Sequence, residues 1–296
     1  MLQDMSHLSG TFTSTHDGLR LASYTWGGDL EHPRGLVQVA HGLAEHSARY
    51  ARVAEALNAA GYVVSAIDHR GHGASITQTP GDFGAPGWDG LVGDLVDFGA
   101  SLAAAHPGLP LFLVAHSMGS FAAQSALLEH SDQYAGVVLS GSTALDVLAA
   151  GMAAAPEGAP AGLEAFNAGF EHRTGYEWLS RDEAEVDAYV ADPLCGFDTP
   201  AETMPALFSH VERLADPEAL AGIRSDLPLL LVSGAADPLA GGGQLIELLA
   251  QRYRDAGLGD VTARVYPGAR HEVFNETNRD EVIGDVVDWV RAHTPL

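Results

Sequence analysis

The sequence predicts an α/β protein: a mostly parallel, doubly wound sheet with helices on both faces and an inserted helical cap. Three observations carry this prediction. From residue 36 onward, short apolar runs alternate with helix-length patches, the pattern of successive βα units. The alternation stops over residues 143–205, which are rich in Ala, Gly, Leu and aromatic residues, and then resumes. Ahead of it lie two strand-like segments joined at Asp17-Gly18, a dipeptide favoured in tight hairpin turns.

Taken in order, residues 10–16 and 19–26 read as an antiparallel edge hairpin. Residues 36–40 follow as a strand, 49–60 as a helix, 62–67 as a strand and 88–105 as a helix. Leu111-Phe112-Leu113-Val114 is a short, fully buried strand, and the helical stripe Phe121, Ala122, Ser125, Ala126, Leu127 and Leu128 comes after it. Residues 137–139 give the next buried strand, so a parallel sheet is the economical arrangement. After the cap, strands are expected at 229–232 and 261–266, and helices at 244–253 and 279–292. Val282, Val286, Trp289 and Val290 share one face of the last helix. The expected division is a core of residues 1–142 and 206–296 with a cap of 143–205.

The chain has 296 residues, 46% of them hydrophobic, enough to bury a large core. Its formal net charge is -24, with 39 acidic residues against 15 basic ones. Such a surface repels nucleic acid phosphates and anionic lipid headgroups, so neither nucleic acid nor stable membrane association is expected. No run reaches the roughly 18 apolar residues of a membrane span, and residues 1–10 lack a secretory pattern. Cys195 is the only cysteine, which excludes an intrachain disulfide and makes the cytoplasm the simplest compartment. There is no lysine, so a Walker A loop, a pyridoxal phosphate Schiff base and a serine-lysine dyad are all excluded. Any serine chemistry must use histidine.

Ala115-His116-Ser117-Met118-Gly119 places a serine between small residues where a strand gives way to a helix. A sharp turn there lifts the hydroxyl above the sheet edge and aims the first helical N–H groups at a ligand. The pattern is close to G-x-S-x-G, from which Ala115 departs by one methyl group. Serine is a weak nucleophile and needs a base, and the base needs an orienting group. Asp237 follows the strand at 229–232 through Ser233-Gly234-Ala235-Ala236, and His271 follows the strand ending at Tyr266. Both sit at carboxyl strand ends, where open α/β sheets bind ligands. The order Ser, Asp, His differs from that of the chymotrypsin and subtilisin folds.

The sequence resembles the α/β-hydrolase fold and, within it, the monoacylglycerol lipase and lysophospholipase family of serine hydrolases. Four motifs in family order carry the resemblance: His41-Gly42-Leu43-Ala44-Glu45-His46-Ser47-Ala48-Arg49-Tyr50, Asp68-His69-Arg70-Gly71-His72-Gly73-Ala74-Ser75, the segment around Ser117, and His271-Glu272-Val273-Phe274-Asn275-Glu276. The resemblance implies Ser117 as nucleophile, His271 as base and Asp237 as orienting acid, with the backbone N–H groups of Leu43 and Met118 as oxyanion hole. It implies a carboxylic ester as a small-molecule substrate and no cofactor.

Other features have plainer readings. His116 is expected to pack or hydrogen-bond near the site. His41, His46, His69 and His72 lack H-E-x-x-H spacing and carboxylate partners, so no metal is expected there. Asp226 precedes its strand and Asp255 lies at the far end of a helix, which leaves Asp237. The run Gly241-Gly242-Gly243 reads as a flexible helix entry. Among Leu145, Leu148, Met152, Leu163, Phe166, Phe170 and Trp178, most are expected to be core and a minority to line an acyl pocket. A lactonase, an aminopeptidase or amidase, or a C–C bond hydrolase would use the same triad. A noncatalytic ligand-binding protein on this fold is a further alternative, whereas a dehalogenase would want aspartate in place of Ser117.

Overall fold

The computed structural model describes residues 7–156 and 162–295, so most of the segment read for a secretory pattern and residues 157–161 of the expected cap lie outside the described residues. Eight strands form one sheet in the order β1-β2-β4-β3-β5-β6-β7-β8. They are β1 (His7–Thr13), β2 (Arg20–Trp26), β3 (Gly35–Ala40), β4 (Tyr62–Ile67), β5 (Leu111–His116), β6 (Gly136–Ser140), β7 (Leu229–Gly234) and β8 (Val261–Tyr266). The β1–β2 and β2–β4 pairings are antiparallel and every other pairing is parallel. The chain runs from β3 to β4 on one side and then to β5 on the other. This reversal opens the crevice in which doubly wound sheets bind their ligands, at the carboxyl ends of β3 and β5.

Helices α1 (Ala51–Ala59), α2 (Gly87–Ala105) and α3 (Met118–His130) follow β3, β4 and β5. Between β6 and β7 come α4 (Leu145–Ala153), α5 (Glu183–Ala191), α6 (Thr203–Leu207), α7 (Val211–Ala215) and α8 (Pro217–Leu220), with no sheet strand among the described residues. The last two are α9 (Gln244–Asp255) and α10 (Arg279–Ala292). Strand alternation sorts the core onto two faces. Leu111, Leu113 and Ala115 of β5 pack with α2, α3 and α9 residues such as Leu91, Leu127 and Leu249. Phe112 and Val114 pack on the other face with Val53 and Leu57 of α1 and with Val282, Val286, Trp289 and Val290 of α10.

Two local expectations shift. Strand β1 lies earlier than residues 10–16, and Asp17-Gly18 is part of a longer loop rather than a two-residue turn. The Ser14 N–H donates to Leu19 O at 2.8 Å, which closes the loop. Within it Asp17 Oδ1 accepts the Leu19 N–H, and Gly18 has φ +76°. The helix expected over 49–60 begins as a 3-10 turn at Ser47–Tyr50 before α1 takes over. Gly241, Gly242 and Gly243 all have positive φ, a conformation open to glycine, and lead into α9.

Candidate active site

Ser117 occupies the turn between β5 and α3 with φ 50° and ψ -121°. A non-glycine residue held in this region costs about 1–3 kcal/mol, which the surroundings must offset. The Ser117 N–H donates to Ser140 O of β6 at 2.9 Å, and its carbonyl accepts N–H bonds from Ser120 and Phe121 at 2.8 and 3.1 Å. A Cβ at Gly119 would stand 2.4 Å from Ala40 O, so only glycine lets α3 pack this close to β3. Ala115 is buried between Ala40 and Leu139, and its methyl fits in the core.

Asp237 and His271 reach the same edge from β7 and β8. His271 Nδ1 lies 2.9 Å from Asp237 Oδ2, and Asp237 Oδ1 accepts the Leu239 N–H at 2.9 Å. The acid is therefore fixed by its own loop while it orients the imidazole. Both side chains are almost fully buried. Burial disfavours the imidazolium, yet the Asp237 carboxylate, with Glu272 and Glu45 behind it, lifts the His271 pKa above its ordinary value. Gly141 lies beneath the ring: a Cβ there would come within 2.9 Å of His271 and 2.8 Å of His116.

The loop after β3 is oriented by buried polar contacts. His41 Nδ1 is 2.8 Å from Gly42 O, and His41 Nε2 accepts the His69 N–H at 2.9 Å. This pair of contacts selects the neutral tautomer protonated on Nδ1, and burial lowers the His41 pKa. Because the peptide is planar and trans, tying down Gly42 O turns the Leu43 N–H the opposite way. The Met118 N–H is the first of α3 and has no acceptor within its helix. Gly42 also has to be small, since a Cβ would lie 3.1 Å from Ser117 Cβ.

Glu45, Arg49 and Glu272 bind this loop to the one carrying His271. Glu45 Oε1 accepts the Gly42 N–H and the Tyr50 hydroxyl, while Glu45 Oε2 accepts Arg49 Nη1. Arg49 also makes a bidentate pair with Glu272 at 2.6 and 2.7 Å. Burial works against the Glu45 carboxylate, but the Arg49 guanidinium and the Tyr50 hydrogen bond hold its pKa below the ordinary value. These three residues stood in the quoted motifs without a role. The i, i+4 spacing of Glu45 and Arg49 was the available signal, and Glu272 was hidden by its distance along the chain.

His116 packs its ring 4.8 Å from that of His271, and its Nδ1 lies 3.2 Å from Ser140 Oγ. Burial and the adjacent His271 lower its pKa to about 4, so it stays neutral. The His41 ring packs at a tilt against those of His69 and His72, with centroids 4.4 and 5.3 Å away. Asp226 faces solvent beside Arg224, and Asp255 pairs with Gln251, both remote from His271. Ser117, His271 and Leu43 line one cavity together with Leu163, Trp178 and Leu179 from between β6 and β7. Its volume is about 20 Å³, room for about one water, and Ser117 itself is half-buried. Among the cap residues singled out, Leu163 and Trp178 line it; Leu145 is core, and Leu148, Phe166 and Phe170 pack partly buried against the core.

An eight-stranded, mostly parallel sheet with a strained serine after β5 and an Asp–His pair after β7 and β8 defines an α/β-hydrolase. Residues 31–278 match the Hydrolase_4 family, described as serine aminopeptidase, S33. The chain belongs to this family and is a hydrolase of the monoacylglycerol lipase-like kind. It is 33% identical over 298 residues to a monoacylglycerol lipase of Mycolicibacterium smegmatis, covering 93% of this chain and 94% of that one. To the human monoglyceride lipase it is 30% identical over 307 residues, covering 99% and 92%. A thermostable carboxyl esterase from Bacillus coagulans superposes with TM-score 0.85 at 27% identity, covering 98% of this chain and all of that one.

Proposed function

We propose that the protein is a serine carboxylic ester hydrolase that cleaves monoacylglycerols or similar single-chain esters through an acyl-enzyme on Ser117. The observation that carries this reading is the mixed lining of the cavity at Ser117. Leu43, Leu163, Trp178 and Leu179 supply apolar surface suited to an acyl chain, and Glu45, Tyr189 and Glu272 add polar groups. The relatives named monoacylglycerol lipase support the same substrate class.

Ser117 Oγ attacks the ester carbonyl as His271 Nε2 takes its proton, and the Leu43 and Met118 N–H groups hold the oxyanion. Collapse breaks the ester bond, and the leaving alcohol takes the proton from His271. Water, deprotonated by His271, then attacks the acyl-enzyme, and the carboxylic acid leaves. Asp237, by holding Nδ1, leaves Nε2 as the nitrogen that acts as base. No step calls on a metal or cofactor. Residues 143–205 act as a cap over the site.

The family description raises an aminopeptidase reading, which needs a carboxylate to meet the substrate amine. Glu164, Glu171, Glu183 and Glu185 are not among the described residues lining the cavity. Glu185 instead pairs with Arg52 at 2.7 Å. Among the described residues no helix is long and apolar enough to cross a membrane. The net charge of -24 supports action on substrate without stable membrane or nucleic acid binding, and a lone cysteine fits the cytoplasm. Turnover is to be compared on monoacylglycerols, aryl esters, lactones and aminoacyl anilides. Monoacylglycerols are expected to lead; a clear preference for the anilides would reverse the assignment.

A further inference from the structure

The turn after α5 meets the loop after β3 at three metal-binding side chains of different kinds. His46 Nε2 lies 2.9 Å from Asp192 Oδ2, and these atoms and the Cys195 sulfur all fall within 4.8 Å of one another. We propose that His46, Asp192 and Cys195 form a site for one thiophilic divalent cation of the zinc class, with water as fourth ligand, that ties the cap to the oxyanion loop.

Imidazole, carboxylate and thiolate together suit zinc better than magnesium or calcium, which prefer oxygen donors. Tetrahedral zinc holds its donors roughly 3.3–3.8 Å apart, so the sulfur has to draw in by up to about 1 Å while His46 Nε2 and Asp192 Oδ2, now 2.9 Å apart, part by about 0.4 Å. The turn is already arranged for this. Asp192 Oδ1 accepts the Leu194 N–H at 2.9 Å, which leaves Oδ2 facing His46. The Cys195 N–H donates to Asp192 O at 3.0 Å, so one tight turn presents both ligands. Asp192 keeps a third of its side chain exposed and gives the ion a way in from solvent. Arg49 is the nearby cation, and its charge is matched by Glu45 and Glu272.

As the sulfur–metal bond forms, the thiol proton passes to solvent and the ion sheds coordinated waters. The junction it braces matters to the oxyanion loop. Tyr189 Oη and the Gly196 N–H both donate to Ala44 O at 2.9 Å, and Ala44, beside Leu43, is held at φ 55°. An ion at His46 adds a further link between the same two segments. Sequence spacing concealed the site, because His46 and Asp192 lie 146 positions apart.

Cobalt(II) titration of untagged, metal-stripped protein tests the site, and the absence of any other cysteine keeps the signal unambiguous. One cobalt per chain is expected, with a thiolate-to-cobalt charge-transfer band that zinc abolishes. Cys195→Ser is expected to lose the band while keeping native circular dichroism. Asp192→Asn and His46→Ala should each weaken binding tenfold or more. Saturating zinc should raise the Tm of the wild type but not of Cys195→Ser. No charge-transfer band in folded wild type, or a band at full affinity in both Asp192→Asn and His46→Ala, overturns the proposal. This readout stands whether or not Ser117 is the nucleophile.

Discussion

The carboxyl edge of the sheet and the segment above it are built by different means. At the edge, Ser117, Asp237 and His271 follow the ends of β5, β7 and β8; β5 and β7 are buried throughout, and β8 is buried only at Tyr266. The Ser117 backbone is tied to Ser140 of β6, Asp237 is held by its own Leu239 N–H, and His271 is held by Asp237. Above it, α4 to α8 are short, and most α4 residues are partly or fully exposed. Leu163 reaches the cavity from a 3-10 helix over Gly162–Asn167 and Trp178 from a turn, neither from the sheet. The difference leads us to propose that the edge sets the reaction and the cap the choice of ester. Variants of the edge should then lower turnover of every ester alike, and variants of the cap should alter the ranking of esters.

The largest effect is expected for Ser117→Ala, a loss of about 10⁴–10⁶-fold in kcat on all esters, with circular dichroism unchanged. Asp237→Asn comes next, about 10⁴-fold, because the amide no longer holds the productive His271 tautomer. Should either variant spare one ester while abolishing another, the division between layers breaks down.

The pH profile sharpens the edge further. His271 must be neutral to act as base, and its pKa is raised, so activity falls as pH drops through a midpoint above the ordinary histidine value. His116, with a pKa near 4, contributes no limb between that midpoint and neutrality. Measuring kcat/KM against pH tests this, and a single limb below the ordinary histidine value would assign the base wrongly.

Smaller effects probe the boundary between layers. Glu45→Gln loosens both the Gly42 N–H and the Arg49 link, and a drop of roughly 10–100-fold in kcat is expected, with KM little changed, since the Leu43 donor is misplaced in the transition state. Trp178→Ala should change kcat/KM only several-fold, unequally across acyl chain lengths. A uniform loss across chain lengths would place Trp178 with the edge. The least effect is a modest rise in Tm with added sodium chloride, as salt screens the repulsion of a chain with net charge -24.

The edge was legible in the sequence and the contacts between layers were not. Strand positions follow from local apolar runs, and Ser117, Asp237 and His271 could be picked out because each follows a strand end. The hairpin turn was misjudged because the Asp17 side chain and the Ser14–Leu19 bond extend the loop, which the Asp-Gly dipeptide alone does not reveal. The Arg49–Glu272 pair spans 223 positions, and no local pattern reports a contact of that kind. The same holds for Trp178 over His271, whose rings lie 4.8 Å apart.

The central claim is that Ser117 carries the acyl group, and covalent labelling tests it most directly. Protein treated with a fluorophosphonate ester is to be digested and mapped by mass spectrometry, alongside Ser117→Ala. A single adduct on the peptide containing Ser117, slowed by competing monoacylglycerol and absent from the variant, is the expected result. Equal labelling of Ser117→Ala, or an adduct on any other serine with Ser117 unmodified, would contradict the account.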